Sequence, residues 1–235
     1  MEPVAVILPA AGRSVRYGGN RGKLLEMLNG KTVIAHAVDA FARRPDVAQI
    51  VVAAPSDDFS VLRDALGEVA GIPRVQFCRG GSCRAESVRN ALRQVRSDMP
   101  WVAVHDAARP LVSQALIDRT FAAARQYGAA VPALPVSLTI KQADGPLPAK
   151  VRQTVPRRSL WVMQTPQAMR RQDLLAAFES CPLPLDQVTD DVQVLELAGR
   201  EVWLVEGEER NLKITTRIDL QIAGMWLSPD PSADC

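Results

Sequence analysis

A chain of 235 residues, 47% of them hydrophobic, has the size and apolar content of one α/β domain with a full core. Its net charge of +2 excludes nucleic-acid binding by bulk electrostatics, so any anion site must be a local cluster. Cys78, Cys83, Cys181 and Cys235 form no Cys-x-x-Cys pair and only His36 and His105 accompany them, which excludes a zinc-ligand set and leads us to expect reduced thiols in a cytoplasmic protein.

Residues 4–8, Val-Ala-Val-Ile-Leu, are a short β-branched run, the pattern of a strand covered on both faces in a parallel sheet. The run is too short for a signal segment, and no apolar stretch approaches the about 18 residues of a membrane span. Pro9 is expected to end the ladder. Ala10, Ala11 and Gly12 follow with almost no side chain, so their backbone N–H groups can approach a ligand closely. Arg13, Arg16, Arg21 and Lys23 come next with no acid among them. Strand, small-residue turn and dense positive charge are what a polyphosphate site requires; a tight turn with solvated cations reads the same way. The order is neither a Walker A loop nor the Gly-x-Gly-x-x-Gly dinucleotide fingerprint.

Over residues 32–41, Val33, Ala37, Ala40 and Phe41 share one side of a helix, with His36 a structural residue inside it. Pro45 and Asp46 break it, and residues 48–54 read as a second buried strand. Ser56-Asp57-Asp58 starts a helix to about Val69. A third strand is expected over 74–78, a turn over 79–82 and a helix over 84–95. Residues 101–106 form a strand with a polar tip, Ser113 caps a helix to about Tyr127, and 129–134 is a fifth strand. Strands alternating with helices in this way predict a Rossmann-like, mostly parallel sheet with helices on both faces. Ligands then bind at the carboxyl ends of the strands.

The rhythm changes at Pro135. Two β-prone runs about Asp144-Gly145 predict a projecting β-hairpin arm over about 135–160, and such an arm needs a partner subunit to cover it. Gln164, Thr165 and Pro166 return the chain to the body. Helices follow over 171–180 and from Thr189-Asp190-Asp191 through Leu197, then a strand over 201–205. Thr216-x-x-Asp219 is a capping box for a helix over 220–227. Residues 1–227 read as a single domain, and 228–235 as a frayed, disordered tail.

The segment Pro9-Ala-Ala-Gly-Arg-Ser-Val-Arg16-Tyr17, followed by Gly22-Lys23-Leu24-Leu25, resembles the signature of the sugar-phosphate nucleotidyltransferases. Further motifs arrive in order: Gly80-Gly81-Ser82-Cys83-Arg84-Ala85-Glu86-Ser87-Val88, then Val104-His105-Asp106-Ala107-Ala108-Arg109-Pro110, then Thr165-Pro166-Gln167 and Thr189-Asp190-Asp191. Leu204-Val205-Glu206-Gly207 and Asn211-Leu212-Lys213-Ile214-Thr215 complete the set. Spanning residues 4 to about 220, they are similar to those of the 2-C-methyl-D-erythritol 4-phosphate cytidylyltransferase family. Ser14, Leu24, Cys83, Leu138 and Pro156 depart from its pattern.

The resemblance implies cytidylyl transfer from CTP to 2-C-methyl-D-erythritol 4-phosphate in non-mevalonate isoprenoid synthesis, by a homodimer using Mg²⁺ held mainly by the triphosphate. Arg16 and Lys23 correspond to the family's transition-state cations. Pro9, Ala10, Ala11 and Gly12 would hold the nucleotide, and Gly80, Gly81 and Ser87 the cytosine. Asp106 would touch nucleotide and acceptor. Arg109, Thr139, Arg157, Thr165, Thr189 and Lys213 would serve the acceptor, with Thr139 and Arg157 reaching the neighbour's site. The chemistry fits the residue types: an acceptor phosphate with a second pKa near ~6 is already a dianion, so charge neutralisation and alignment matter more than a general base.

Simpler roles stand beside these. Ser87 suits a helix-interior hydroxyl bonded to its own backbone, Lys23 a solvated lysine, Arg109 a structural ion-pair partner, and Arg13 and Arg21 surface charge. Arg158 can replace Arg157 as the arm's cation. A different polyol phosphate such as ribitol 5-phosphate, or a non-catalytic nucleotide-binding module, are the competing functions.

Overall fold

The first strand, β1 (Val4–Pro9), lies between two parallel neighbours, which is why its whole apolar run is buried. The computed structural model describes residues 2–227 except 13–16, 18–21 and 73, so Arg13, Arg16 and Arg21 lie outside the described residues. After a 3-10 turn, Lys23–Leu25, come two-residue strands β2 (Met27–Leu28) and β3 (Lys31–Thr32), and α1 (Val33–Ala42) capped by Thr32. Then follow β4 (Val47–Ala54), α2 (Phe59–Leu66), β5 (Val75–Arg79), α3 (Arg84–Leu92), β6 (Trp101–Val104) and α4 (Gln114–Tyr127). The second half runs β7 (Ala129–Pro135), β8 (Ile140–Ala143), β9 (Val151–Val155), β10 (Trp161–Met163), β11 (Gln167–Arg170), α5 (Arg171–Glu179), α6 (Asp191–Leu197), β12 (Trp203–Glu206) and α7 (Arg217–Leu227).

Among the described residues the central sheet has eight strands. Parallel pairing joins β1 to β4 and β6, β4 to β5, and β7 to β12. Antiparallel pairing joins β11 to β6 and β7, and β10 to β7. Period-two alternation divides the core between the faces. Val4, Val6 and Leu8 pack with Ile34, Phe41 and Leu116 of α1 and α4, while Ala5 and Ile7 pack with Val88, Leu174 and Val194 of α3, α5 and α6. Each large side chain so buried contributes roughly 1.5–3 kcal/mol. A mostly parallel sheet with helices on both faces is the arrangement expected.

Several details differ from expectation. Pro9 does not end the β1 ladder: it stands opposite Ala53, and the next residue donates the following bond, Ala10 N to Ala53 O at 2.7 Å. Proline lacks a donor, and here none is required of it. Strands β10 and β11, of 3 and 4 residues, are too short to reveal alternation, and they supply the antiparallel part of the sheet. The arm is a hairpin of β8 and β9, but its connection is wider than a two-residue turn, closing with Asp144 N to Lys150 O at 3.1 Å. Toward the C-terminal end the capping box forms, Thr216 Oγ1 accepting from Asp219 N, and the helix begins at Arg217 rather than at 220, because the box caps the residue that follows it directly.

Candidate active site

Because β1, β4, β5 and β6 run parallel, their carboxyl ends open on one edge, where a cleft of about 1130 Å³ lies. Its lining includes Pro9, Ala10, Ala11, Gly12, Lys23, Gly80, Gly81, Ser87, Asp106 and Lys213, all singled out in the sequence. Two loops are stitched to β4: Ala10 donates to Ala53 O, and Gly80 N donates to Ala54 O at 2.8 Å. They come so close that a Cβ on Gly80 would sit 2.5 Å from the Ala11 Cβ. A Cβ on Gly81 would sit 2.3 Å from Cγ of Glu86.

Ser87 secures this turn. Its Oγ accepts from Gly81 N at 3.0 Å and donates to Cys83 O at 2.9 Å. It therefore bonds its own helix, and that bond spends its only proton. Its remaining acceptor capacity is all a base could use. Glu86 Oε2 accepts from both N and Oγ of Ser82 at 2.7 Å, and these bonds lower the Glu86 carboxyl from its ordinary value.

Asp106 forms the opposite wall. Only 7% exposed, it meets Arg84 Nε at 3.2 Å, Lys213 Nζ at 2.9 Å and Arg109 Nε at 3.5 Å. Burial disfavours its charge, but Arg84, Lys213 and Arg109 outweigh that and hold its carboxyl well below the usual range. Its backbone N–H donates to Thr165 Oγ1 at 3.1 Å, and that hydroxyl lies 3.0 Å from His105 Nδ1. His105 Nε2 is 3.0 Å from Arg109 O, a carbonyl that can only accept, so Nε2 carries the proton and Nδ1 accepts from Thr165. Full burial lowers His105 to about 4, which keeps the ring neutral. Thr165 and His105 thus lock the loop that presents Asp106.

Other expected residues fall outside the cleft lining. Arg109 donates to Asn211 O at 2.7 Å, tying the Asp106 loop to the segment carrying Lys213. Thr165 is buried at 3% exposure. Thr189 is exposed and bonds Gln193 Oε1 through its N–H and hydroxyl. Thr139 and Arg157 lie on the exposed arm, where Arg157 donates to Ser137 O; neither lines the cleft of its own chain. Arg84, which stands in a recognised motif but carried no assigned role, lines the cleft, and its partner Asp191 is buried. The sequence signal was a lone Arg at a fixed offset from Gly80-Gly81; its anion lies 107 residues away.

The described residues do not fit a resident metal ion. Among them no group of three or more His, Cys, Asp or Glu side chains could hold one, and Asp106 is already surrounded by cations. Nor is any described helix long and apolar enough to cross a membrane.

The profile of the family described as 2-C-methyl-D-erythritol 4-phosphate cytidylyltransferase matches residues 4–229. A protein of that name from Rhodopirellula baltica is 40% identical over 231 residues, covering 94% of this chain and 93% of the relative. The crystal structure of 2-C-methyl-D-erythritol 4-phosphate cytidylyltransferase from Francisella tularensis superposes with a TM-score of 0.82 at 32% identity, covering 96% of this chain and all of that one. A 4-diphosphocytidyl-2C-methyl-D-erythritol synthase from Anaerococcus prevotii gives 0.81 at 27% identity, with 96% of each chain covered.

Proposed function

Because the chain belongs to the 2-C-methyl-D-erythritol 4-phosphate cytidylyltransferase family, we propose that its cleft binds CTP and transfers the cytidylyl group to 2-C-methyl-D-erythritol 4-phosphate. An oxygen of the acceptor phosphate attacks the α-phosphorus, the bond from that phosphorus to the β-phosphate bridge breaks, and pyrophosphate leaves with the electron pair. The observation that carries this reading is one cleft holding the bare backbone of residues 10–12, the Gly80-Gly81 turn, Lys23, and the Asp106–Lys213 pair.

Each part has a chemical task. Residues 10–12 offer N–H groups to the triphosphate, and Lys23, with Arg16 by family correspondence, offsets the charge gathering on the α-phosphate. The Gly80-Gly81 turn offers backbone groups that can read the cytosine by hydrogen bonding. Lys213 faces the acceptor's phosphate, and Asp106 its hydroxyls. Mg²⁺ enters as part of the nucleotide substrate, since it keeps several waters and needs few protein ligands.

The arm supports assembly as a homodimer. Leu138 is 75% exposed and Val151 52%, apolar surface of the kind a second subunit covers. Thr139 and Arg157 would then complete the partner's acceptor site. Use of CTP as donor supports a cytoplasmic location for the activity.

Pyrophosphate release with CTP and a panel of polyol phosphates tests the reading. Turnover greatest with 2-C-methyl-D-erythritol 4-phosphate is expected. Preference for ribitol 5-phosphate would reassign the acceptor, and release with none of them would leave a nucleotide-binding module.

A further inference from the structure

Among the described residues, Arg84 alone of the cations around Asp106 also holds a second carboxylate. Its Nε lies 3.2 Å from Asp106 Oδ1 and its Nη2 lies 2.8 Å from Asp191 Oδ2. Asp191 begins α6 and is 1% exposed. It is fastened from the side of the sheet: Gln167 Oε1 accepts from the backbone N–H groups of Asp191 at 3.0 Å and Val192 at 3.2 Å. The amide nitrogen of the same Gln167 donates to Asp190 Oδ2 at 2.9 Å, and Asp190 Oδ1 caps the helix through Gln193 N. Gln167 itself is paired with Val104 of β6, next to the Asp106 loop.

Asp191 is therefore a buried carboxyl group on a braced helix start. Among the described residues its Oδ1 has no hydrogen-bond partner, and burial pushes its carboxyl up against the pull of Arg84. For stability alone such a pair is a poor arrangement, because an apolar pair of similar volume would do as well or better. Its geometry has a different consequence. Arg84, fixed at one end by Asp191, fixes Asp106 at the other, and Asp106 Oδ2 in turn locates Lys213 at 2.9 Å.

We propose that Arg84 is a positioning residue for cytidylyl transfer: anchored by Asp191, it sets the Asp106 carboxylate in the orientation that places Lys213 for the acceptor's phosphate. This rests on the cytidylyltransferase reading of the cleft. Without Arg84, the carboxylate keeps, among the described residues, Arg109 and Lys213 and turns toward them, and the ammonium group shifts with it.

The test separates brace from structural filler. Arg84→Met alone leaves Asp191 buried and unpaired; Arg84→Met with Asp191→Leu removes both charges. We expect the single variant to melt well below the wild type and the double variant to recover most of that loss. In the double variant the acceptor KM should still rise about tenfold and kcat fall by a similar factor, with the CTP KM rising by a smaller factor because Asp106 also faces the ribose. Recovery of wild-type kinetics along with stability would overturn the proposal. Should the double variant fail to fold, Arg84→Lys decides: a single ammonium cannot span both carboxylates with separate nitrogens, so the acceptor KM should rise similarly, and unchanged kinetics would overturn it. Wild-type enzyme runs alongside. If it turns over and the variants match it, positioning alone fails; if it does not turn over, the cytidylyltransferase reading fails and takes this one with it.

Discussion

Asp106, at the cleft wall, is 7% exposed and has three cations on its carboxylate; along the arm, residues 137–154 are all exposed except Ala149. The wall takes its geometry from one chain. Arg84 and Thr165 fix Asp106 from two other elements, and His105 and Arg109 brace it from within its own loop, so its position is over-determined before any substrate arrives. The arm has one hairpin ladder and apolar side chains turned to water, and a two-stranded hairpin has little stability of its own. Residues at the wall should therefore act within their own chain, and residues on the arm only through another surface.

The sharpest way to break this contrast is at the cleft. Lys23→Ala should lower kcat/KM by about 10²–10³ while leaving the fold intact, as expected for loss of one transition-state cation. Steady-state kinetics with circular dichroism decides, and full activity in the variant would remove Lys23 from its role. The arm comes next. Arg157→Ala should be about as inactive as loss of a phosphate-binding cation implies, on the order of 10²-fold. Mixed in equal amounts with Lys23→Ala and allowed to exchange subunits, it should recover about a quarter of wild-type activity, since half the dimers are mixed and each has one intact site. No recovery at any ratio would place Arg157 outside the neighbour's site.

Gly80→Ala probes the close approach of two loops rather than a charge. Its Cβ would lie 2.5 Å from the Ala11 Cβ, which cannot swing aside, so the nucleotide loop must shift. We expect an increase in the CTP KM of about tenfold from overpacking of roughly 1–3 kcal/mol, with the acceptor KM little changed. Equal affinity for CTP in calorimetry would show that the loops are looser than their contact indicates.

His105 gives the smallest effect at neutral pH. Its folded pKa of about 4 lies below the unfolded value, so the unfolded chain takes up a proton first as pH falls. Stability should therefore drop between pH 6.5 and 5 by about 2 kcal/mol, and His105→Gln should flatten that slope in denaturant titrations. Asp106 acts in another window. Its lowered pKa makes its contribution present above the unfolded carboxylate pKa of about 3.9 and lost only as pH falls toward the folded value. Identical slopes in wild type and variant would contradict a neutral, buried His105.

What could be read from the sequence follows the range of the interactions. Val4 to Leu8, the strand over Val47–Ala54 and the loops around Gly80 and Asp106 are continuous segments, so periodicity and motif spacing reveal them. So do Ser113 and the Thr216 capping box, whose partners are three residues away. Strands β10 and β11 are too short to alternate visibly, and Pro9 stays within its strand because a missing donor matters only where the register demands one. The link from Arg84 to Asp191 was hidden for another reason: each residue type is ordinary alone, and only folding brings them within 2.8 Å. Residue types announced the cleft; its bracing became visible only in three dimensions.

The most direct measurement is a crystal structure of the protein with CTP and magnesium. The triphosphate should rest on the backbone of residues 10–12 beside Lys23, with the cytosine against Gly80 and Gly81 and the ribose toward Asp106. A nucleotide bound elsewhere, with this cleft empty, would contradict the account.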